Sequence, residues 1–136
     1  MDNNYFIKYN VSPNEYKIQM IVSKLNIVDV PEIIDYDATN HTMKMRRINN
    51  MNLSDFYGEN AKNVPIYIFD KIRAIIKKLL LAGIEYPDIT GYNFIEHNNK
   101  IWIIDFGHAS FFVEKYNCSF ITKFINGLNE WNPNFK

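Results

Sequence analysis

From residue 86 to residue 107 the chain reads Tyr-Pro-Asp-Ile-Thr-Gly-Tyr-Asn-Phe-Ile, a short polar break, then Ile-Trp-Ile-Ile-Asp-Phe-Gly. No other stretch restricts the possible fold as much. Asp88 and Asn93 stand five residues apart, and Asp105 follows at the end of an apolar run. Phe94-Ile95 and residues 101–104 flank His97-Asn98-Asn99-Lys100, a composition suited to a tight β-hairpin turn. A loop, a turn and a strand end then present three oxygen-bearing side chains, Asp88, Asn93 and Asp105. A single Asp or Asn in a loop rich in Pro and Gly is ordinarily a turn former, because its side chain bonds the local backbone. Three such residues spaced around one hairpin point to a site.

The spacing resembles the D-x-x-x-x-N and D-F-G elements of the protein-kinase-like superfamily. Phosphoryl transfer needs one carboxylate to orient the attacking hydroxyl, and an amide plus a second carboxylate to hold magnesium against phosphates. The resemblance therefore implies Asp88 as base or orienter, with Asn93 and Asp105 as metal ligands. Departures point to the small atypical members. Tyr86-Pro87 replaces the usual His-Arg, and Ile89-Thr90-Gly91-Tyr92-Asn93 is similar to the Leu-Ser-x-Tyr-Asn of RIO-type kinases. It is also similar to the corresponding loop of the small kinase of the KEOPS complex and of aminoglycoside-type phosphotransferases.

The preceding segments read in the same sense. Residues 5–9 are aromatic and β-branched and predict a short strand that ends its apolar part at Lys8. Tyr-Phe-Ile-Lys resembles the family's Val-Ala-Ile-Lys, whose lysine reaches the nucleotide phosphates; a solvated strand lysine is the competing reading. Ser12-Pro13-Asn14-Glu15 opens a helix with Ile18, Ile21, Val22 and Leu25 on one face. The family's helix glutamate pairs with the strand lysine, so Glu15 either pairs with Lys8 or closes a capping box at its own helix start. Residues 30–36 and 41–48 read as two strands joined by Asp-Ala-Thr-Asn, and resemblance to the hinge of small kinases places adenine-bonding backbone near Arg46 and Ile48. Met43 and Met45 divide between core and cleft. A short helix from Leu53, a long one from Asn63 to Gly83, and a closing helix that draws on Phe111, Phe112, Phe120, Ile121, Phe124 and Ile125 complete the chain.

With 136 residues and a formal net charge of zero, the chain makes one domain and has no global field to attract nucleic acid or an anionic membrane. The single cysteine, Cys118, closes no internal disulfide, and His41, His97 and His108 stand apart without metal-ligand spacing. A polar, acidic N-terminus and interrupted apolar runs predict no leader or membrane span and a cytoplasmic location.

The expected fold class is α+β: a truncated protein-kinase-like fold with a small β-lobe and one helix over residues 1–48 and a minimal, mainly helical lobe over 49–136. Only seven residues precede Lys8, so the family's first two strands and Gly-rich hairpin have no counterpart, and either a partner protein covers the phosphates or the protein is slow. The expected function is transfer of the γ-phosphate of ATP, with Mg2+ or Mn2+, to a hydroxyl, with protein Ser/Thr as first choice. The alternatives are a kinase-derived binding or scaffold module acting through a protein partner, and a small-molecule phosphotransferase.

Overall fold

The computed structural model describes residues 4–135; residues 1–3, which entered the reading of the N-terminus, and residue 136 lie outside. Strand β1 (Tyr5–Lys8) leads into helix α1 (Pro13–Leu25), and strands β2 (Ile33–Asp37) and β3 (Thr42–Arg46) follow. The three strands form an antiparallel sheet in the order β1-β3-β2. Its register sets Lys8 opposite Met43 and Phe6 opposite Met45. Both methionines are buried, and Met45 also lines the cleft.

Helix α1 starts as its sequence directs. The Ser12 hydroxyl accepts the Glu15 N–H at 3.1 Å, Pro13 occupies the first turn, and Asn26 ends the helix in the left-handed region at φ 54°. Its inward face is Glu15, Ile18, Gln19 and Val22, whereas Leu25 is 52% exposed. The expected apolar stripe is thus rotated: an i, i+4 pair of polar residues turns inward with Ile18 and Val22. Gln19 is satisfied there on one side, its Nε2 donating to the Pro31 carbonyl at 3.0 Å.

Helix α2 (Leu53–Tyr57) is capped by the Asn52 side chain, which accepts the Asp55 N–H at 2.8 Å. The long helix α3 (Ile66–Leu81) begins at Ile66, not Asn63, because Ala61–Asn63 forms a separate 3-10 turn capped by Asn60. Gly83 follows it at φ 79°. Strands β4 (Ile84–Glu85), β5 (Phe94–His97), β6 (Lys100–Ile103) and β7 (Ser110–Phe111) come next, then helix α4 (Ser119–Ile125). The expected hairpin is β5–β6, with Asn98 and Asn99 both at positive φ in its turn. Phe111 and Phe112 are not part of the closing helix. Phe111 pairs with Ile84 across β4–β7, and the Phe112 N–H bonds the Gly83 carbonyl at 3.0 Å. A two-residue ladder leaves no periodicity to read.

Two apolar clusters result. The larger gathers α3, α4 and the β5–β6 hairpin, and takes Ile18, Val22 and Val30 from the first third of the chain. The smaller is Val11, Met43 and Met45, under the three-stranded sheet. One residue of the basic face of α3 is structural. The Arg73 guanidinium donates to the Phe124 carbonyl, to the Leu128 carbonyl at 3.3 Å and to Asn129 at 2.6 Å, satisfying the end of α4. Arg73→Ala should therefore lower unfolding stability by about 1–3 kcal/mol in urea titrations, while Lys77→Ala on the exposed face stays within about 0.5 kcal/mol.

Candidate active site

The loop after β4 is braced from within. Tyr86 is buried, its hydroxyl donates to the Asp105 carbonyl, and its ring meets Phe106 edge-on at 5.6 Å. Burial first, then the charges of Asp105, Asp88 and Glu15, push the Tyr86 phenol well above its ordinary range. Asn93, at the end of the 3-10 turn Gly91–Asn93, donates its Nδ2 to the Asp88 carbonyl at 2.8 Å. The Ile104 N–H donates to the Asn93 carbonyl at 3.0 Å, one residue before Asp105. Asp88, Asn93 and Asp105 are thus held to one another through main-chain carbonyls, leaving their side-chain oxygens for other partners.

Lys8 reaches the same place from the sheet. Its ammonium bonds the Glu15 carboxylate and lies 3.0 Å from Asp105 Oδ1. The Ser12 hydroxyl accepts the Glu15 N–H, while the Glu15 carboxylate turns to Lys8 instead of back to the helix start. Burial draws the Lys8 ammonium down, but the bond to Glu15 and the charges of Asp105 and Glu15 outweigh it and hold Lys8 above the ordinary 10.5. Asp105 Oδ1 also accepts the Gly107 N–H at 2.7 Å. A Cβ on Gly107 would lie 3.0 Å from that oxygen and 3.4 Å from Glu15 Oε1, so glycine allows the backbone to pass between the two carboxylates.

A cleft of about 380 Å³ opens between sheet and loop, with Lys8, Met45, Arg46, Ile48, Asn93, Ile95, Ile104 and Asp105 among its walls. Glu15, bonded to Lys8, and Asp88, whose carbonyl is bonded by Asn93, are not among the residues that line it. The Arg46 N–H bonds the Glu32 carbonyl at 2.9 Å and its guanidinium Nε bonds the Glu32 carboxylate at 2.7 Å. The Arg47 N–H bonds the Asn4 carbonyl at 2.6 Å, whereas the Ile48 N–H has no protein partner among the described residues.

No group of three His, Cys, Asp or Glu side chains among the described residues could hold a metal ion by itself. Oxygen-bearing side chains that line the cleft include Asp105, whose Oδ2 has no bond among the described residues, and Asn93. One carboxylate and one amide suit a hard divalent cation that completes its shell with phosphate oxygens and water, and do not suit a resident ion.

The fold can now be compared with known proteins. No protein-family model matches the chain. The kinase PK-1 of Cydia pomonella granulovirus superposes with a TM-score of 0.60 at 13% identity, over 81% of this chain and 45% of that one. A probable serine/threonine-protein kinase, a BUD32 homolog of Archaeoglobus fulgidus, is 35% identical over 92 residues, 67% of this chain and 43% of that protein. The chain belongs to the protein-kinase-like superfamily. Its relatives are of the atypical type: the KEOPS complex subunit Bud32 of Pyrococcus abyssi is also similar, 30% identical over 84 residues, 62% of this chain and 38% of that protein. The chain spans less than half the length of each of these proteins.

As a member of this superfamily the chain carries supports that the spacing of Asp88, Asn93 and Asp105 did not reveal. Tyr86, noted only as a departure, ties the loop to Asp105. Buried Asn132 donates from its N–H to the Ile89 carbonyl and from its Nδ2 to the Pro87 carbonyl, both at 2.8 Å. Buried Glu85 accepts the Asn117 and Cys118 N–H groups at 3.2 and 2.9 Å, anchoring the chain ahead of α4. His108, set aside as a lone histidine, lies 3.0 Å from the Asp88 carboxylate. Only adjacency in sequence signalled Tyr86 and His108.

Removing Lys8 strands a carboxylate that is 5% exposed. Lys8→Met should cost about 1–3 kcal/mol, the lower end for a broken buried pair because Lys8 keeps 21% of its side chain in water. Lys8→Met/Glu15→Gln should recover most of that loss in thermal melts. A lysine raised when folded contributes stability below 10.5 and loses it as pH climbs through the folded value. The double variant should therefore weaken less steeply than the parent above about pH 10.5 in urea midpoints.

Proposed function

We propose that the chain binds a nucleoside triphosphate, ATP first, with a divalent cation in this cleft and transfers its γ-phosphate to a hydroxyl. The observation that carries the reading is Lys8 standing between Glu15 and Asp105 while Asp88 and Asn93 are braced on the adjoining loop. In this reading residues 1–48 act as the small lobe and 49–136 as the larger. Met45, Ile95 and Ile104 offer apolar contact to a planar base, and the Ile48 N–H, which has no protein partner among the described residues, bonds its edge. Lys8 turns from Asp105 to the phosphates and keeps Glu15 as its counter-charge. Magnesium, when bound, neutralises charge on the phosphate oxygens, and Asp105 and Asn93 hold it. Asp88 accepts a hydrogen bond from the acceptor hydroxyl and takes its proton as the new bond forms. A protein Ser/Thr is the first choice of acceptor, following the name of the Archaeoglobus relative, and a small-molecule hydroxyl the second.

One observation favours a binding module instead. Asp105 Oδ1 is already taken by Lys8 and the Gly107 N–H, so this carboxylate leaves an incoming cation Oδ2 alone. The two readings separate at Asp88. Asp105→Ala should abolish magnesium-ATP binding in calorimetry. Asp88→Asn should keep affinity within about threefold while slowing transfer by roughly 10²–10⁴-fold. A parent that binds ATP yet shows neither transfer nor phosphate release with magnesium or manganese overturns the enzyme and leaves the binding module.

A further inference from the structure

Asp88 is the one residue of the site whose carboxylate is held by a surface side chain. His108 follows directly on Asp105-Phe106-Gly107, and its Nδ1 lies 3.0 Å from Asp88 Oδ2. The His108 side chain is 60% exposed and that of Asp88 only 13%. The imidazole is backed by Phe135, ring centroids 4.9 Å apart, from the final 3-10 turn Pro133–Phe135. That turn is fixed by Asn132, which also holds the Pro87 and Ile89 carbonyls on either side of Asp88. The end of the chain thus grips Asp88 twice, once through its backbone neighbours and once through His108.

We propose that His108 is the positioning residue for Asp88, an inference that rests on the acceptor-orienting role given to Asp88 above. A free aspartate turns about two side-chain bonds. The imidazole pins Oδ2 and leaves Oδ1, which has no bond among the described residues, as the oxygen that meets the acceptor hydroxyl. A hydrogen bond from Nδ1 to a carboxylate is charge-assisted, so it selects the tautomer that carries its proton on Nδ1. Fixing the carboxylate before the reaction removes a reorganisation that would otherwise accompany it, and misplacement by 1 Å can cost about a hundredfold. Because His108 rides on the segment that carries Asp105, the metal-binding and acceptor-orienting sides of the cleft move together.

The test uses His108→Ala and His108→Asn in the full chain, with calorimetry for ATP affinity, and transfer to casein and release of phosphate for turnover. His108→Ala should leave affinity within about twofold and lower kcat on the order of tenfold. His108→Asn, whose Nδ2 donates from nearly the same place, should restore most of the loss. An alanine variant as fast as the parent, or an asparagine variant as slow as alanine, overturns the proposal while leaving the role of Asp88 intact. Nitrogen NMR of the His108 ring gives a readout independent of turnover. A neutral ring with its proton on Nδ1, reverting to Nε2 in Asp88→Ala, supports the pairing; the Nε2 form in the parent overturns it. A parent without turnover sinks the role of Asp88, and the tautomer then decides the pairing alone.

Discussion

One ammonium group holds the cleft together. Lys8 stands at the end of β1, Glu15 in the first turn of α1 and Asp105 beyond β6, and these elements have no covalent reason to meet. Glu15 is inside the protein, where a lone carboxylate is costly, and Lys8 makes that burial tolerable. The same lysine leans on Asp105 and so ties the small sheet to the loop it faces. Other features accompany this arrangement: the rotation of α1 that sends Glu15 and Gln19 inward, and the glycine at 107.

The opposite wall depends on hydrogen bonds to main-chain carbonyls. Tyr86 holds that of Asp105, Asn93 that of Asp88, and Asn132 those of Pro87 and Ile89. Each donor is buried, so each bond is shielded from competing water and its loss would strand a polar group. Rigidity thus resides in the backbone, while Asp105 Oδ2, the Asn93 amide oxygen and Asp88 Oδ1 are left without bonds among the described residues. A site that must receive a charged ligand and its cation needs this division.

Much of this was legible where local physics decides. The β5–β6 hairpin was readable because Asn98-Asn99 suits a turn with two left-handed residues, and the start of α1 because Ser12-Pro13 is a capping sequence. The end of the long helix was readable because Gly83 suits a helix terminus. What failed was short or non-local. The β4–β7 ladder is two residues long, and α3 starts late because Asn60 caps a separate turn. The bonds of Arg73 to the end of α4 join residues more than fifty apart.

For the site, the sequence determined the chemical inventory and its spacing. Asp88, Asn93 and Asp105 lie around one hairpin, whose turn and strand lengths are set by neighbours a few residues apart, so their convergence follows from local rules. Only the tertiary structure decided the rest. It gave Glu15 to Lys8 instead of to its own helix, left the Ile48 N–H open while closing that of Arg46, and brought His108, Asn132 and Phe135 to Asp88. The physical reason is common to all of these. Each is a choice among partners for one polar group, and the partner is fixed by which surfaces pack together to bury Ile18, Val22 and Trp131 in a single core, a long-range event that no window of residues records.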